Sequence, residues 1–137
     1  ETEYYKMQER RVGGMSVDQL DYFKNVLEKY SQVKWTFVLM HKPLWQREGE
    51  KGLGKLETLL ANRPYTVING HVHSFSHQLR NNRDYIILGT TGGGQQENDS
   101  MAFDHVSLVR MAKEPIITHL KMNGILDERG IVPKGKD

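Results

Sequence analysis

The chain contains no cysteine, which excludes disulfide bonds, thiolate zinc sites and a cysteine nucleophile. A transition-metal site in this protein must therefore use histidine nitrogen and carboxylate oxygen as ligands. No apolar run approaches the ~20 residues that a membrane-spanning helix requires, so no membrane partner is expected. The first residues are polar, without a signal-peptide pattern or an initiator methionine. We expect an upstream signal, tag or longer segment to have been removed, and the compartment stays open between cytoplasmic and periplasmic or secreted.

An excess of one charge sign is also missing, since 19 lysines and arginines stand against 17 aspartates and glutamates. The basic residues form no stripe, and no nucleic acid is expected as a ligand. A hydrophobic share of 37% with 26% charged residues is typical of a globular protein. The 137 residues suit one domain with a real core. We treat residues 1–137 as one partial domain, with a lead-in arm at 1–15 and a tail at 126–137.

Two helices are predicted from the spacing of apolar residues. Ser16 and Gln19 have the spacing of a capping box, in which each side chain bonds the other's main chain. Apolar residues follow at helical intervals as far as Tyr30, which predicts a helix over 17–30. Leucines between 53 and 60 predict a second helix, which ends before Pro64.

Two strands are predicted on either side of the second helix. The apolar run at 35–40 indicates a strand buried on both faces, and 65–69 indicates a second short buried strand. A crossover helix between two strands of one sheet makes them parallel. The carboxyl ends of parallel strands share one edge, where ligands bind in open α/β sheets. Since His41 follows the first strand and His71 and His73 follow the second, we expect the three histidines to converge.

Hairpins are predicted for the rest of the chain. Residues 74–79 and 85–89 flank a turn at 81–84, and a loop follows from 90 to 100. Residues 105–111 and 115–121 are predicted to pair around a turn at Lys113 and Glu114. Asn123-Gly124 is a favourable hairpin-turn dipeptide. The fold class predicted from these elements is α/β, with a mixed β-sheet and two flanking helices.

The motif Gly70-His71-Val72-His73 carries the strongest chemical signal. Histidines two residues apart point to one side of an extended backbone, and Gly70 would let the chain turn off the strand. In that arrangement the two histidines could bind two neighbouring metal ions, or both could approach a single ion. The competing interpretation is a polar strand-end pair without a metal, and His41 at the same predicted edge weighs against it.

These elements, in this order, resemble the calcineurin-like metallophosphoesterase superfamily, which includes purple acid phosphatases, Ser/Thr phosphatases and cyclic-nucleotide phosphodiesterases. The likeness rests on the capped helix, His41-Lys42-Pro43 after a buried strand, and Val67-Ile-Asn-Gly-His-Val-His73. The later stretch Gly89-Thr-Thr-Gly-Gly-Gly94 looks like a bacterial branch. The resemblance implies that the chain is the C-terminal half of a four-layer α/β/β/α sandwich.

The resemblance also implies a site. His41 and His71 match ligands of the family's second metal, and His73 matches a ligand of the first. Family enzymes hold two ions, commonly Fe, Mn or Zn, about 3.5–4 Å apart, and hydrolyse phosphate esters. Lys42 and His77 are candidates for contact with the phosphoester substrate. The alternatives are a solvated loop lysine and an exposed strand histidine.

The family's upstream ligand blocks, Asp-x-His, Gly-Asp-x-x-Asp and Gly-Asn-His-Asp/Glu, do not occur in this sequence. We therefore expect the full-length protein to be the enzyme, and this fragment to supply histidine ligands while being inactive or nearly so. One alternative is a mononuclear site of three histidines with an open fourth position. Another is a non-catalytic module that forms a homodimer through the face left by the missing half. The substrate and the metal stay open.

Overall fold

The computed structural model describes residues 14–47 and 49–122. Most of the arm expected at 1–15, the turn expected at Asn123-Gly124 and the tail expected at 126–137 lie outside the described residues. Within the described ranges, no helix has both the length and the apolar character needed to cross a membrane.

The first helix, α1, spans Val17–Lys29 and begins with the predicted capping box. The Ser16 hydroxyl accepts a hydrogen bond from the amide of Gln19 at 3.0 Å, and the Gln19 side chain accepts one from the Ser16 amide at 3.3 Å. Both bonds satisfy amides that the helix itself leaves unpaired. The helix ends one residue earlier than predicted, because Tyr30 is its C-cap.

The second helix, α2, spans Gly52–Leu60 and confirms the prediction from the leucines. Its N-cap residue makes no side-chain cap. The carboxylate of Glu50 takes that role and accepts hydrogen bonds from the amides of Gly52 and Leu53, both at 2.8 Å. A negative charge at this end also favours the helix dipole. A short 3-10 helix at Leu44–Gln46 precedes α2.

The described residues form a mixed sheet with strand order β1-β2-β4-β3. Its strands are β1 (Thr36–Met40), β2 (Tyr65–Asn69), β3 (Ser76–Arg80) and β4 (Arg83–Ile87). Strands β1, β2 and β4 are parallel, and β3 is antiparallel to β4. The predicted parallel pairing around α2 is thereby confirmed.

The prediction that the first strand is buried on both faces is wrong. Strand β1 lies at the edge of the described sheet, and the side chain of Leu39 is 73% exposed. Strand β2 lies between two neighbours and is almost fully buried, as predicted. An apolar run records which residues prefer burial, but it does not reveal whether another element covers the second face.

The two predicted hairpins are present. The β3–β4 turn is shorter than expected, because Asn81 and Asn82 alone connect the strands, with φ of 51° and 55°. Asparagine tolerates this left-handed conformation, which the tight two-residue turns of hairpins require. Strands β5 (His105–Met111) and β6 (Pro115–Lys121) pair as an antiparallel ribbon, as predicted.

The core lies between the sheet and the two helices. It consists of leucines from the helices and alternate residues of the central strands: Leu20, Leu44, Leu53, Leu56, Leu60, Tyr65, Val67 and Tyr85. The β5–β6 ribbon contacts the segments that precede two strands of the sheet. Lys34, before β1, donates a hydrogen bond to the Ala112 carbonyl, and Phe75, before β3, is in ring contact with His119. The chain is therefore mixed α/β, with a mixed sheet and two helices, as predicted.

Candidate metal centre

The turns that follow β1 and β2 are joined by two hydrogen bonds. The amide of Gly70 donates to the His41 carbonyl at 3.1 Å, and the side-chain amide of Asn69 donates to the Lys42 carbonyl at 2.8 Å. Parallel strands end at the same edge of the sheet, which brings these turns within reach of each other. His41 and His71 thus lie side by side at the carboxyl edge, as the sequence predicts.

The rings of His41 and His71 form the centre of the candidate site. Nδ1 of His71 lies 3.1 Å from Nε2 of His41, and the rings meet edge to face with centroids 5.0 Å apart. Without a metal, one of these nitrogens carries a hydrogen and donates a hydrogen bond to the other. Two imidazole nitrogens bound to one tetrahedral zinc ion, each at about 2.0–2.1 Å, stand roughly 3.3 Å apart. The observed separation therefore suits two ligands of one ion with little movement.

The charge state of His71 also suits a metal ligand. Partial burial lowers the pKa of His71 below its usual range, and electrostatic repulsion from the neighbouring His41, Lys42, Arg47 and His73 side chains lowers it further. His71 is therefore neutral at pH 7. A neutral imidazole has the free electron pair that a metal ion requires.

His73 stands apart from this pair. Its Nδ1 lies 2.6 Å from the carbonyl oxygen of Gly94, and since a carbonyl can only accept, Nδ1 carries the hydrogen. This leaves Nε2 with the free electron pair, which is how backbone carbonyls orient metal-binding histidines. In ranges 14–47 and 49–122, no group of three or more histidine, aspartate or glutamate side chains is placed to hold a metal ion. Convergence is thus observed for His41 and His71, but not for all three.

The geometric reason given for His71 and His73 pointing the same way is wrong. Their φ angles are 73° and 63°, so neither residue is extended. Both occupy the left-handed region, which is disfavoured by about 1–2 kcal/mol for a residue with a side chain. Strain of this kind clusters at functional sites. The turn that imposes it includes a hydrogen bond from the Val72 amide to the Gly70 carbonyl at 2.9 Å.

The glycine-rich loop at 90–94 supplies the carbonyl that orients His73, and Asp104 anchors this loop. One carboxylate oxygen of Asp104 accepts hydrogen bonds from the Thr90 hydroxyl at 2.5 Å and from the Gly92 amide at 2.8 Å. The bond from Thr90, then that from Gly92, lowers the pKa of Asp104. The sequence alone does not reveal this link from Asp104 to His73 through the loop.

The two candidates for substrate contact differ in burial. Lys42 is only 8% exposed, so the alternative of a solvated loop lysine is wrong, and its charge acts on His71. His77 lies on the exposed outer strand β3 and bonds Asp84, with Nε2 2.8 Å from the carboxylate oxygen. His77 is thus an exposed strand histidine, and its contact with a substrate stays a prediction.

Asn69 is the site residue that sequence reasoning misses. It is 2% exposed and ends the mostly apolar strand β2. The available signal is a polar amide at a buried strand position directly before Gly70. Comparison with protein-family models, curated proteins and solved structures finds no match. The functional argument consequently depends on the geometry of the carboxyl edge and on the order of the sequence motifs.

Proposed function

We propose that this chain supplies the histidine ligands of a two-metal phosphoesterase, and that the full-length protein hydrolyses phosphate esters. The observation that carries the proposal is the 3.1 Å separation between Nδ1 of His71 and Nε2 of His41. The motif order, from the capped helix to Gly70-His71-Val72-His73, supports the same family. On this proposal the helices and mixed sheet belong to one half of a four-layer α/β/β/α sandwich, and the β5–β6 ribbon belongs to its second sheet.

The donor set fits the proposed metals. Imidazole nitrogen is a good ligand for zinc and iron, and His71 is neutral at pH 7. His41 would bind through Nε2 and His71 through Nδ1 to the same ion, while His73 would bind through Nε2 to the other. When bound, such ions activate water and neutralise charge on the phosphoryl oxygens.

The chain's own residues orient this set and place positive charge beside it. The Gly94 carbonyl fixes the tautomer of His73, and the charge of buried Lys42 acts within the same site. A phosphate ester carries negative charge, which Lys42 would attract. The carboxylate and asparagine blocks that complete the family's site do not occur in this sequence. The fragment alone is therefore expected to hold a partial site and to show little or no hydrolysis.

Calorimetric titration of the chain with Mn²⁺ and with Zn²⁺ tests the proposal. The unsubstituted chain should bind about one equivalent, and His41→Ala and His71→Ala should both abolish binding. His77→Ala is the matched control, because it removes an exposed imidazole that lies outside the pair, and it should bind as the unsubstituted chain does. Binding that is absent, or indifferent to both substitutions at the pair, would contradict the proposal.

The mononuclear alternative separates from the two-metal proposal at His73. If His41, His71 and His73 share one ion, His73→Ala should weaken its binding as strongly as His71→Ala does. If His73 serves a different ion, the equivalent bound by His41 and His71 should be retained in His73→Ala. The comparison of these two variants decides between the alternatives in one set of titrations.

Self-association is the second candidate role, favoured by the exposure of Leu39 on the edge strand β1. An uncharged apolar edge strand is prone to pairing with another strand. Sedimentation velocity at increasing protein concentration should then show a dimer that Leu39→Lys removes. A monomer at every concentration would contradict this role and leave the metal proposal untouched.

A further inference from the structure

The side chain of Asn69 connects the two turns that carry His41 and His71. Its Nδ2 donates to the Lys42 carbonyl at 2.8 Å, and it does so from a buried position at the end of β2. The main chain of Asn69 is separately fixed, because its carbonyl accepts from the Leu88 amide at 2.7 Å. The amide side chain is therefore a rigid arm that holds the main chain directly after His41.

This arm acts beside a backbone bond that involves His41 itself. The Gly70 amide donates to the His41 carbonyl at 3.1 Å, and the Asn69 amide holds the next carbonyl along. Two adjacent carbonyls fixed by two adjacent residues leave the peptide between His41 and Lys42 little freedom to rotate. The orientation of the His41 ring relative to His71 depends on that peptide.

The other half of the same amide argues for a role beyond packing. Oδ1 of Asn69 is buried and has no hydrogen-bond partner among the described residues. A buried acceptor without a partner is unfavourable, and the neighbouring residues of β2 are mostly apolar. A strand selected only for burial would favour an apolar residue here. Asparagine adds a side-chain amide that donates a hydrogen bond to the Lys42 carbonyl.

We infer that Asn69 is a positioning residue, whose amide donor sets the His41 turn so that Nε2 of His41 meets Nδ1 of His71. This inference rests on the proposed function, since the positioned pair is the proposed metal ligand pair. Outer-shell partners of metal ligands commonly change affinity by about 10–100-fold when they are replaced. We expect an effect of that order on metal affinity for replacements of Asn69.

Two variants remove the donor in different ways. Asn69→Leu keeps the branched shape of four side-chain heavy atoms and suits the apolar surroundings, so folding should be preserved while the bond to Lys42 is removed. Asn69→Asp keeps the shape but replaces the donor with a carboxylate that faces a carbonyl. Thr66→Val is the matched control on the same strand, because it removes the buried hydrogen bond from Trp35 to Thr66 without touching either turn.

Two readouts test the inference. Calorimetry with Zn²⁺ should give about 10–100-fold weaker binding for Asn69→Leu and Asn69→Asp, and unchanged binding for Thr66→Val. In the metal-free chain, ¹⁵N chemical shifts of the imidazoles should show one ordered tautomer for His41 and His71, retained in Thr66→Val and averaged in Asn69→Leu. The second readout requires no metal.

The outcomes separate this inference from the proposed function. Zn²⁺ binding that is unchanged in Asn69→Leu, or reduced equally in Thr66→Val, would overturn the positioning role while the metal site stands. If the unsubstituted chain binds no Zn²⁺, the proposed function fails. The imidazole shifts then still decide the role of Asn69 in ordering the pair, because unchanged shifts in Asn69→Leu would overturn it.

Discussion

The two edges of the sheet use polar side chains in opposite ways. At the amino edge, the carboxylate of Glu57 accepts hydrogen bonds from Arg80 at 2.6 and 3.1 Å and from the Tyr85 hydroxyl at 2.7 Å. At the carboxyl edge, the facing atoms of His41 and His71 are both ring nitrogens. The first set joins opposite charges, whereas the second joins two imidazole nitrogens of the same kind. A network of paired opposite charges stabilises a fold. A cation instead requires nitrogen or oxygen atoms whose electron pairs can bind it.

The pKa shifts follow the same division. Burial, then the hydrogen bonds with Tyr65 and Glu57, raises the pKa of Tyr85, which keeps that phenol protonated. Burial alone would raise the pKa of Glu57, but hydrogen bonds from Arg80 and Tyr85 and the charge of Arg80 outweigh it and lower the pKa overall. The amino edge thus holds its charge state internally. At the carboxyl edge, the lowered pKa of His71 favours the neutral imidazole.

The largest effect is expected for metal affinity at the carboxyl edge. His71→Ala removes one of two proposed ligands and should weaken Zn²⁺ binding more than about 100-fold, since even outer-shell changes reach that size. The free energy of unfolding should change by less than about 1 kcal/mol, because one exposed hydrogen bond is lost. Calorimetry and urea unfolding measure the two quantities. A large loss of stability in His71→Ala would show that the carboxyl edge also stabilises the fold, which would contradict the difference between the two edges.

At the amino edge, a substitution is expected to lower stability and to leave Zn²⁺ affinity unchanged. Glu57→Ala removes the carboxylate that accepts from the buried Tyr85 hydroxyl and from the Arg80 guanidinium, and it leaves Tyr85 with Tyr65 as its partner. It should lower the free energy of unfolding by about 2 kcal/mol. Zn²⁺ affinity should stay unchanged in calorimetry. Tyr85→Phe, which removes one hydroxyl from the same network, is the control and should lower stability by about 1 kcal/mol in urea unfolding. Weaker metal binding in Glu57→Ala would show that the edges are coupled.

A smaller effect is expected from the anchor of the 90–94 loop. Asp104→Ala removes the acceptor for Thr90 and Gly92, and about 1 kcal/mol of stability should be lost. The Gly94 carbonyl should then hold His73 less firmly, which ¹⁵N shifts of the His73 ring would report as a mixture of tautomers. The ion held by His41 and His71 should bind as before. A His73 ring that keeps one tautomer in Asp104→Ala would contradict the anchoring role.

The smallest effect concerns pH and the ribbon. Burial, followed by the charges of His105 and His77, lowers the pKa of His119 below the usual 6.5. Below pH 6.5 the unfolded chain binds more protons at this residue than the folded chain does, so stability falls as the pH drops through that value. The contribution is fully present above pH 6.5. Urea unfolding at pH 5.5 and 7.5 should show the decrease, and His119→Gln should reduce it, while an unaltered decrease would exclude His119 as its source.

Local signals in the sequence predict most of the fold. The capping box at Ser16 and Gln19 defines the start of α1, and the crossover between β1 and β2 follows from the apolar pattern. Both depend on residues close in sequence and on a strong handedness rule. The exposure of Leu39 was not predictable, because it depends on what lies beyond β1 rather than on β1 itself.

The candidate site could be predicted in composition but not in geometry. The motifs identify His41, His71 and His73, since histidine at the ends of parallel strands has a clear chemical meaning. The left-handed backbone of His71 and the amide arm of Asn69 arise from contacts between two turns distant in sequence. Propensity rules would place glycine or asparagine, rather than histidine, at such φ angles.

The left-handed backbone at His71 and His73 has a consequence for how this sequence drifts over generations. Glycine fits both positions without strain, so only selection for the imidazoles opposes its arrival. If the proposed metal role were lost in a lineage, these two codons should be among the first to change, toward asparagine or glycine. A homologous gene that has lost the proposed site should therefore be recognisable from glycine or asparagine codons at these two positions.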